Sequence, residues 1–209
     1  VGMKGIHDAE GLATFAFLMT FACITPALIS GAVADRMKFS AWMIFVPIWT
    51  LVVYAPVVYW VYASDGWIFN LPAYDFAGGT AIHVNAGAAA LALVIVLGKR
   101  TGWPQNRPAP HNIPFVMLGA GILWFGWFGF NAGSALAANG GAARAFVNTF
   151  IAGAAGMVAW MIVEMAKTGK VSTIGMASGV VAALVAITPA AGFVGSMHSF
   201  VFGALAGII

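Results

Sequence analysis

Apolar positions fill this chain in long, nearly unbroken runs, and polar residues appear mainly as short punctuation between them. A helix needs about 20 predominantly apolar residues to cross a bilayer. Seven stretches reach or approach that length: residues 11–34, 41–62, 77–97, 113–137, 146–165, 174–187 and 193–209. The sixth is short, and Pro189 follows it closely. Barrel strands would alternate apolar and polar residues over about ten positions; these runs do not alternate. The pattern predicts an all-α fold, a polytopic transmembrane helix bundle with about seven spans. Pro26 and Pro56 fall inside spans and are expected to kink them. Carbonyls freed there must find partners or line a cavity.

Composition points the same way. Of 209 residues, 62% are hydrophobic and only 7% charged, and the mean hydropathy is +0.95. A soluble domain carries roughly 25% charged residues, so this surface has to face lipid. The 26 glycines suit membrane helices that pack backbone to backbone. The formal net charge is +3, but the basic residues lie in short loops and form no nucleic-acid face. The lone cysteine, Cys23, excludes an internal disulfide framework and is expected to be buried and inert. The chain starts at Val1 without a signal-like leader and stops at Ile209 inside an apolar run, which reads as part of a longer protein.

Loop charges set an expected topology. Arg36 and Lys38 follow the first span, Lys99, Arg100 and Arg107 the third, and Lys167 and Lys170 the fifth. The other basic residues are Arg144 and Lys4. By the positive-inside rule those alternate loops are cytoplasmic. The start of the chain is then outside and its end cytoplasmic. The longest polar stretch, 99–112, carries Pro104, Pro108 and Pro110 and could join two halves.

Few residues within the spans can do chemistry. Asp75 and His83 share the run 75–83, and an ionisable group inside a membrane marks a functional site by default. Asp75 allows two readings, a helix cap that ties down the Gly78–Gly79 turn or a group that attracts cations. His83 follows roughly 12 Å further along a helix that begins at Asp75, at 1.5 Å per residue. Its imidazole can pass a proton or hold a small polar molecule, or bond to a neighbouring helix. Trp127, Phe130, Asn131 and Ser134 recur at i, i+3, i+4 and i+7 and share a face. That face suits a small cation needing cation–π contact and one hydrogen bond, and equally suits plain packing. Phe17 and Phe21 pair at i, i+4 near Thr20 and Thr25, a spacing more common in cores. Glu164, beside Lys167, reads as interfacial, and His7, His111 and His198 lie near segment ends or loops. No metal-ligand spacing, phosphate loop or nucleophile elbow is present, so neither a cofactor nor an enzyme is supported.

The stretch 75–87 (DFAGGTAIHVNAG) resembles the signature of the ammonium transporter (Amt/Mep/Rh) family, on its Amt branch. The stretches 20–25 (TFACIT), 31–36 (GAVADR), 124–134 (WFGWFGFNAGS) and 186–192 (AITPAAG) are similar to it in the same order. The resemblance covers essentially the whole chain and aligns it with the family's third to ninth helices. It implies residues 1–98 as the last three helices of a first pseudo-repeat and 99–112 as the cytoplasmic connecting loop. Residues 113–209 would be the first four helices of a second pseudo-repeat.

The resemblance also implies roles. Phe21, Ser134 and Tyr62 match the outer site that recruits ammonium, where bacterial members usually carry tryptophan in place of Tyr62. Phe21 and Phe130 match the stacked phenyl gate below it, and Trp127 the pore-side tryptophan. Ala77 matches a position whose backbone carbonyl faces the recruitment site. Asp75 matches the buried carboxylate and His83 the first of two pore histidines. The second belongs to the family's tenth helix, outside this chain, and His198 lacks its motif. The substrate implied is ammonium, ammonia or methylammonium, crossing a narrow hydrophobic pore of a homotrimer in the plasma or inner membrane. A cytoplasmic signalling protein is the implied regulator. The alternatives are an ammonium sensor of the same family and an unrelated secondary transporter or channel.

Overall fold

A computed structural model describes residues 8–105 and 109–209. Lys4, His7, Arg107 and Pro108 lie outside the described residues. Among the described residues all regular structure is helical. Five stretches are long and apolar enough to cross a membrane: Ala9–Val33, Phe39–Tyr62, Gly79–Leu97, Ile113–Gly133 and Gly140–Thr168. Thr173–Ile187 and Ser196–Ile208 are shorter apolar helices.

Helix starts follow local capping chemistry. Asp8 opens α1 (Ala9–Val33) by accepting the Gly11 N–H at 2.9 Å. The second span is divided. Its α2 (Phe39–Trp49) passes through a π-helical turn, Thr50–Tyr54, into α3 (Ala55–Tyr62). The Pro56 ring crowds the carbonyl four residues before it, and the wider turn makes room for it. The Ala55 N–H accordingly reaches back five residues to the Thr50 carbonyl. The third span opens with a second π-helical stretch, Gly79–Val84, and continues as α4 (Asn85–Leu97). Asn112 caps α5 (Ile113–Gly133), Asn139 caps α6 (Gly140–Thr168), and Ser172 caps α7 (Thr173–Ile187). The last helix is α8 (Ser196–Ile208).

Several sequence expectations are corrected. The fifth span begins at Gly140 rather than 146, so Arg144 lies within α6 and not in a loop. The cap supplied by Asn139 starts the helix before the apolar run begins. Cys23 is exposed, because it sits on the outer face of α1 rather than on the face carrying Phe21, Thr25 and Ile29.

The chain forms two compact units. The first comprises Val1–Ala73 with Thr80–Pro108, and the second Tyr74–Gly79 with Ala109–Ile209. In the first, α1 packs on α4 and touches the π-turn of the second span. Two arginines clasp the ends of the α1–α4 pair. Arg36 Nη1 donates to the Gly98 carbonyl and Arg100 Nη2 to the Gly31 carbonyl, each at 2.6 Å. In the second unit α6 packs on α7 and α8. Glycines let these helices meet backbone to backbone. Gly156 lies against Ala183, Gly179 and Gly203, and Gly207 lies against Gly156. A second layer forms from Trp127, Val180 and Leu184, flanked by Trp124, Phe130 and Met157.

Candidate functional site

The signature run starts with a tight turn. Asp75 Oδ1 accepts the N–H of Gly78 at 2.7 Å and of Gly79 at 2.6 Å. This is the capping geometry that a short carboxylate favours. Gly78 has φ of 105°, a conformation that L side chains resist, so glycine is required there. The turn is held within the second unit. The Phe76 N–H donates to the Pro189 carbonyl at 3.0 Å. Gly79 leaves no room for a Cβ against the Pro189 ring, and Gly192 none against the Phe76 ring. Phe76 also meets Phe193 edge to face at 5.3 Å. Ala77, at the centre of the turn, is buried.

The helix begins at Gly79, not at Asp75, because residues 75–78 are spent on the turn. His83 therefore lies only four residues into the helix, roughly 6 Å at α-helical rise. The 12 Å offset expected along a continuous helix is corrected accordingly. His83 is 8% exposed and sits within the π-helical stretch.

On α5 the expected face divides. Trp127 is buried, and its indole Nε1 donates to Thr188 Oγ1 at 3.0 Å. Its ring lies 5.2 Å from that of Phe130, at an angle of 31°. Asn131 is fully buried, and its Nδ2 donates to Thr149 Oγ1 at 2.9 Å. It is a link to α6 and not part of an open polar face. Ser134 lies just past the end of α5, half-buried, and its hydroxyl donates to the Phe130 carbonyl at 2.8 Å.

In the first unit, Phe21 is buried and meets Phe17 edge to face at 4.8 Å. Thr25, also buried, turns its hydroxyl back to the Phe21 carbonyl. Tyr62 ends α3 and is 37% exposed. His111 and His198 are exposed. Glu164 accepts both the N–H and the hydroxyl of Ser172, which ties the ends of α6 and α7.

Sequence reasoning missed the residues that hold the turn. Asn148 Nδ2 donates to the Ala191 and Val194 carbonyls, both at 2.8 Å. Ser199 Oγ donates to the Asn148 carbonyl at 2.6 Å. Together they fix the 188–195 connection on which the 75–79 turn rests. The signal was present in the stretch 186–192, whose threonine, proline and glycine each have a distinct contact here. Among the described residues no group of His, Cys, Asp or Glu is arranged to hold a metal ion.

Apolar spans, glycine-mediated helix packing and a buried histidine within a span define a multi-pass helical membrane protein. The family model described as the Ammonium Transporter Family matches residues 1–209. The chain belongs to the ammonium transporter family, a family of transporters rather than enzymes. It is 57% identical over 202 residues to an ammonium transporter of Mycobacterium tuberculosis, covering 93% of this chain and 42% of that one. It is 50% identical over 210 residues to that of Aquifex aeolicus, covering 99% and 49%. Candida albicans Mep2 superposes with a TM-score of 0.85 at 43% identity, over 90% of this chain and 43% of that one. A protein described as a sensor Amt protein superposes with a TM-score of 0.88 at 30% identity, over 96% and 53%. The chain thus spans about half the length of the relatives it matches.

Proposed function

We propose that this chain supplies part of a pathway that carries ammonium or ammonia across a membrane. The observation that carries the reading is His83, a titratable ring buried on a π-helical turn inside an apolar span. Such turns recur at functional sites, and a polar group at this depth is costly unless used. The match of all 209 residues to the transporter family supports the same substrate.

In this reading Phe21, Tyr62 and Ser134 recruit ammonium at an outer site, with the Ala77 carbonyl facing it. Aromatic faces attract the cation and oxygen acceptors replace its lost water. Phe21 and Phe130 form the gate, and Trp127 lines the path. Carrying a bare cation through the bilayer centre is expensive. The cheaper course is loss of a proton from ammonium, passage of neutral ammonia, and separate return of that proton to the ammonia along a histidine pair, of which His83 is the first and the second lies outside this chain. Asp75 holds the 75–79 turn and joins His83 in transport, its carboxylate favouring the cation's approach. Potassium has no proton to lose, so the same step gives selectivity.

The wider arrangement follows the same family reading. It is a homotrimer in the plasma or inner membrane, with the start of this chain outside and its end cytoplasmic. Residues 1–98 and 113–209 belong to two pseudo-repeats joined by the cytoplasmic segment 99–112, and a cytoplasmic signalling protein regulates transport. A sensing role is the second reading, favoured by the likeness to a sensor Amt protein.

The test is methylammonium flux and ammonium current in proteoliposomes of a full-length family member carrying this sequence. His83→Ala should abolish ammonium selectivity over potassium. Unchanged current and selectivity would overturn the relay. Tight ammonium binding without flux in the unsubstituted protein would favour the sensor.

A further inference from the structure

The α1–α4 pair ends in a concentration of positive charge that the transport reading does not use. Residues 31–39 and 94–105 contain Arg36, Lys38, Lys99 and Arg100 against a single acid, Asp35. The clasp fixes two of these cations in place. Each guanidinium spends one nitrogen on a carbonyl at the end of the opposite helix, where the helix dipole favours positive charge. A guanidinium has five N–H donors, so most of its capacity remains. Arg36 Nε lies buried without a hydrogen-bond partner.

Beside the clasp is a cleft of about 490 Å³, lined by Arg36, Val94, Gly98, Lys99, Arg100 and Trp103. Its walls are of two kinds. The arginines and Lys99 supply charge, and Val94 and the Trp103 ring supply apolar surface. Beyond Val94, α4 exposes Leu91, Ile95 and Val96. A ligand with an anionic head and an apolar tail matches both parts. Basic pockets between membrane helices at headgroup depth bind anionic lipid headgroups, tryptophan favours that depth, and guanidinium geometry fits a phosphate.

We propose that this cleft holds the phosphate headgroup of an anionic membrane lipid, with an acyl chain lying along α4. Lys99 and Arg100 contact the phosphate, Arg36 completes the charge, and Trp103 covers the glycerol region. A free phosphate would gain nothing from the apolar wall. The site requires the cleft to stay open to lipid in the full-length protein and makes no use of His83 or the recruitment residues, so it stands or falls separately from the transport reading.

The test is lipid binding by native mass spectrometry on the purified full-length protein in micelles, titrated with phosphatidylglycerol and, separately, phosphatidylcholine. Phosphatidylglycerol should bind at least tenfold more tightly. Lys99→Gln leaves both arginine–carbonyl bonds in place and should weaken phosphatidylglycerol binding about fivefold, the factor for roughly 1 kcal/mol per basic residue. Arg100→Gln should weaken it by as much or more. Lys167→Gln, on α6, should leave it unchanged. Equal binding of the two lipids would overturn the proposal, as would equal losses in Lys99→Gln and Lys167→Gln. Displacement of phosphatidylglycerol by millimolar inorganic phosphate would assign the site to free phosphate and overturn the lipid.

Discussion

The span Phe39–Tyr62 and helix α6 are both apolar enough to cross a bilayer, yet they use their surfaces in opposite ways. Within an 18-residue apolar stretch of each, 39% of α6 is buried against the rest of this chain and 11% of the other span. Side-chain size accounts for the difference. The buried face of α6 is mostly small residues; Ala152 and Gly156 admit the backbones of α7 and α8, and Gly153 admits the Trp124 ring of α5. The span Phe39–Tyr62 has no glycine. It stacks its own rings in a ladder from Trp42 through Phe45 and Trp49 to Tyr54, and turns Phe39, Ile44, Leu51 and Val52 outward. Total hydrophobicity decides that a helix enters the membrane. Small residues decide whether it meets another helix of this chain backbone to backbone.

This contrast can be broken most forcefully at Gly203. A Cβ there would stand 2.7 Å from the Ala152 Cα. Gly203→Val should therefore cost about 3 kcal/mol or prevent assembly, read as loss of resistance to unfolding in detergent. Next is Asn148→Ala, which strips the partners from two carbonyls. It should cost about 2 kcal/mol and loosen the 188–195 connection, seen as faster amide exchange there. Asp75→Ala removes the acceptor for two N–H groups and should cost about 1 kcal/mol, whereas Asp75→Asn should retain most of it. At the small end stands Leu51→Ala on the outward face, 72% exposed. Its unfolding free energy should change by less than about 0.5 kcal/mol. A large loss there would mean that this face packs on protein.

These variants also mark what could be read in advance. Runs of apolar residues announced the spans because bilayer thickness fixes their length. Asp75 could be read as a cap because its partners are three and four residues away. Asn131, Asn148 and Trp127 could not be placed, since their partners Thr149, Ala191 and Thr188 come from other elements. Nothing local said that Asn131 would turn inward while Ser134 bonded to its own helix. The π-helical stretches were hidden for a related reason. Prolines signal strain, but neighbouring helices decide where the extra residue is absorbed.

The hydrogen bond from Phe76 to Pro189 has a consequence for biosynthesis. A ribosome releases Asp75 and its turn long before the proline that receives them exists. Until α7 has been made, the signature segment has a cap but no seat, and His83 follows a turn that is free to move. The nascent chain can thread its early spans into the bilayer in order. Its most specific feature is completed only when the 188–195 connection emerges, so a ribosome stalled before that point would leave inserted helices without a finished site.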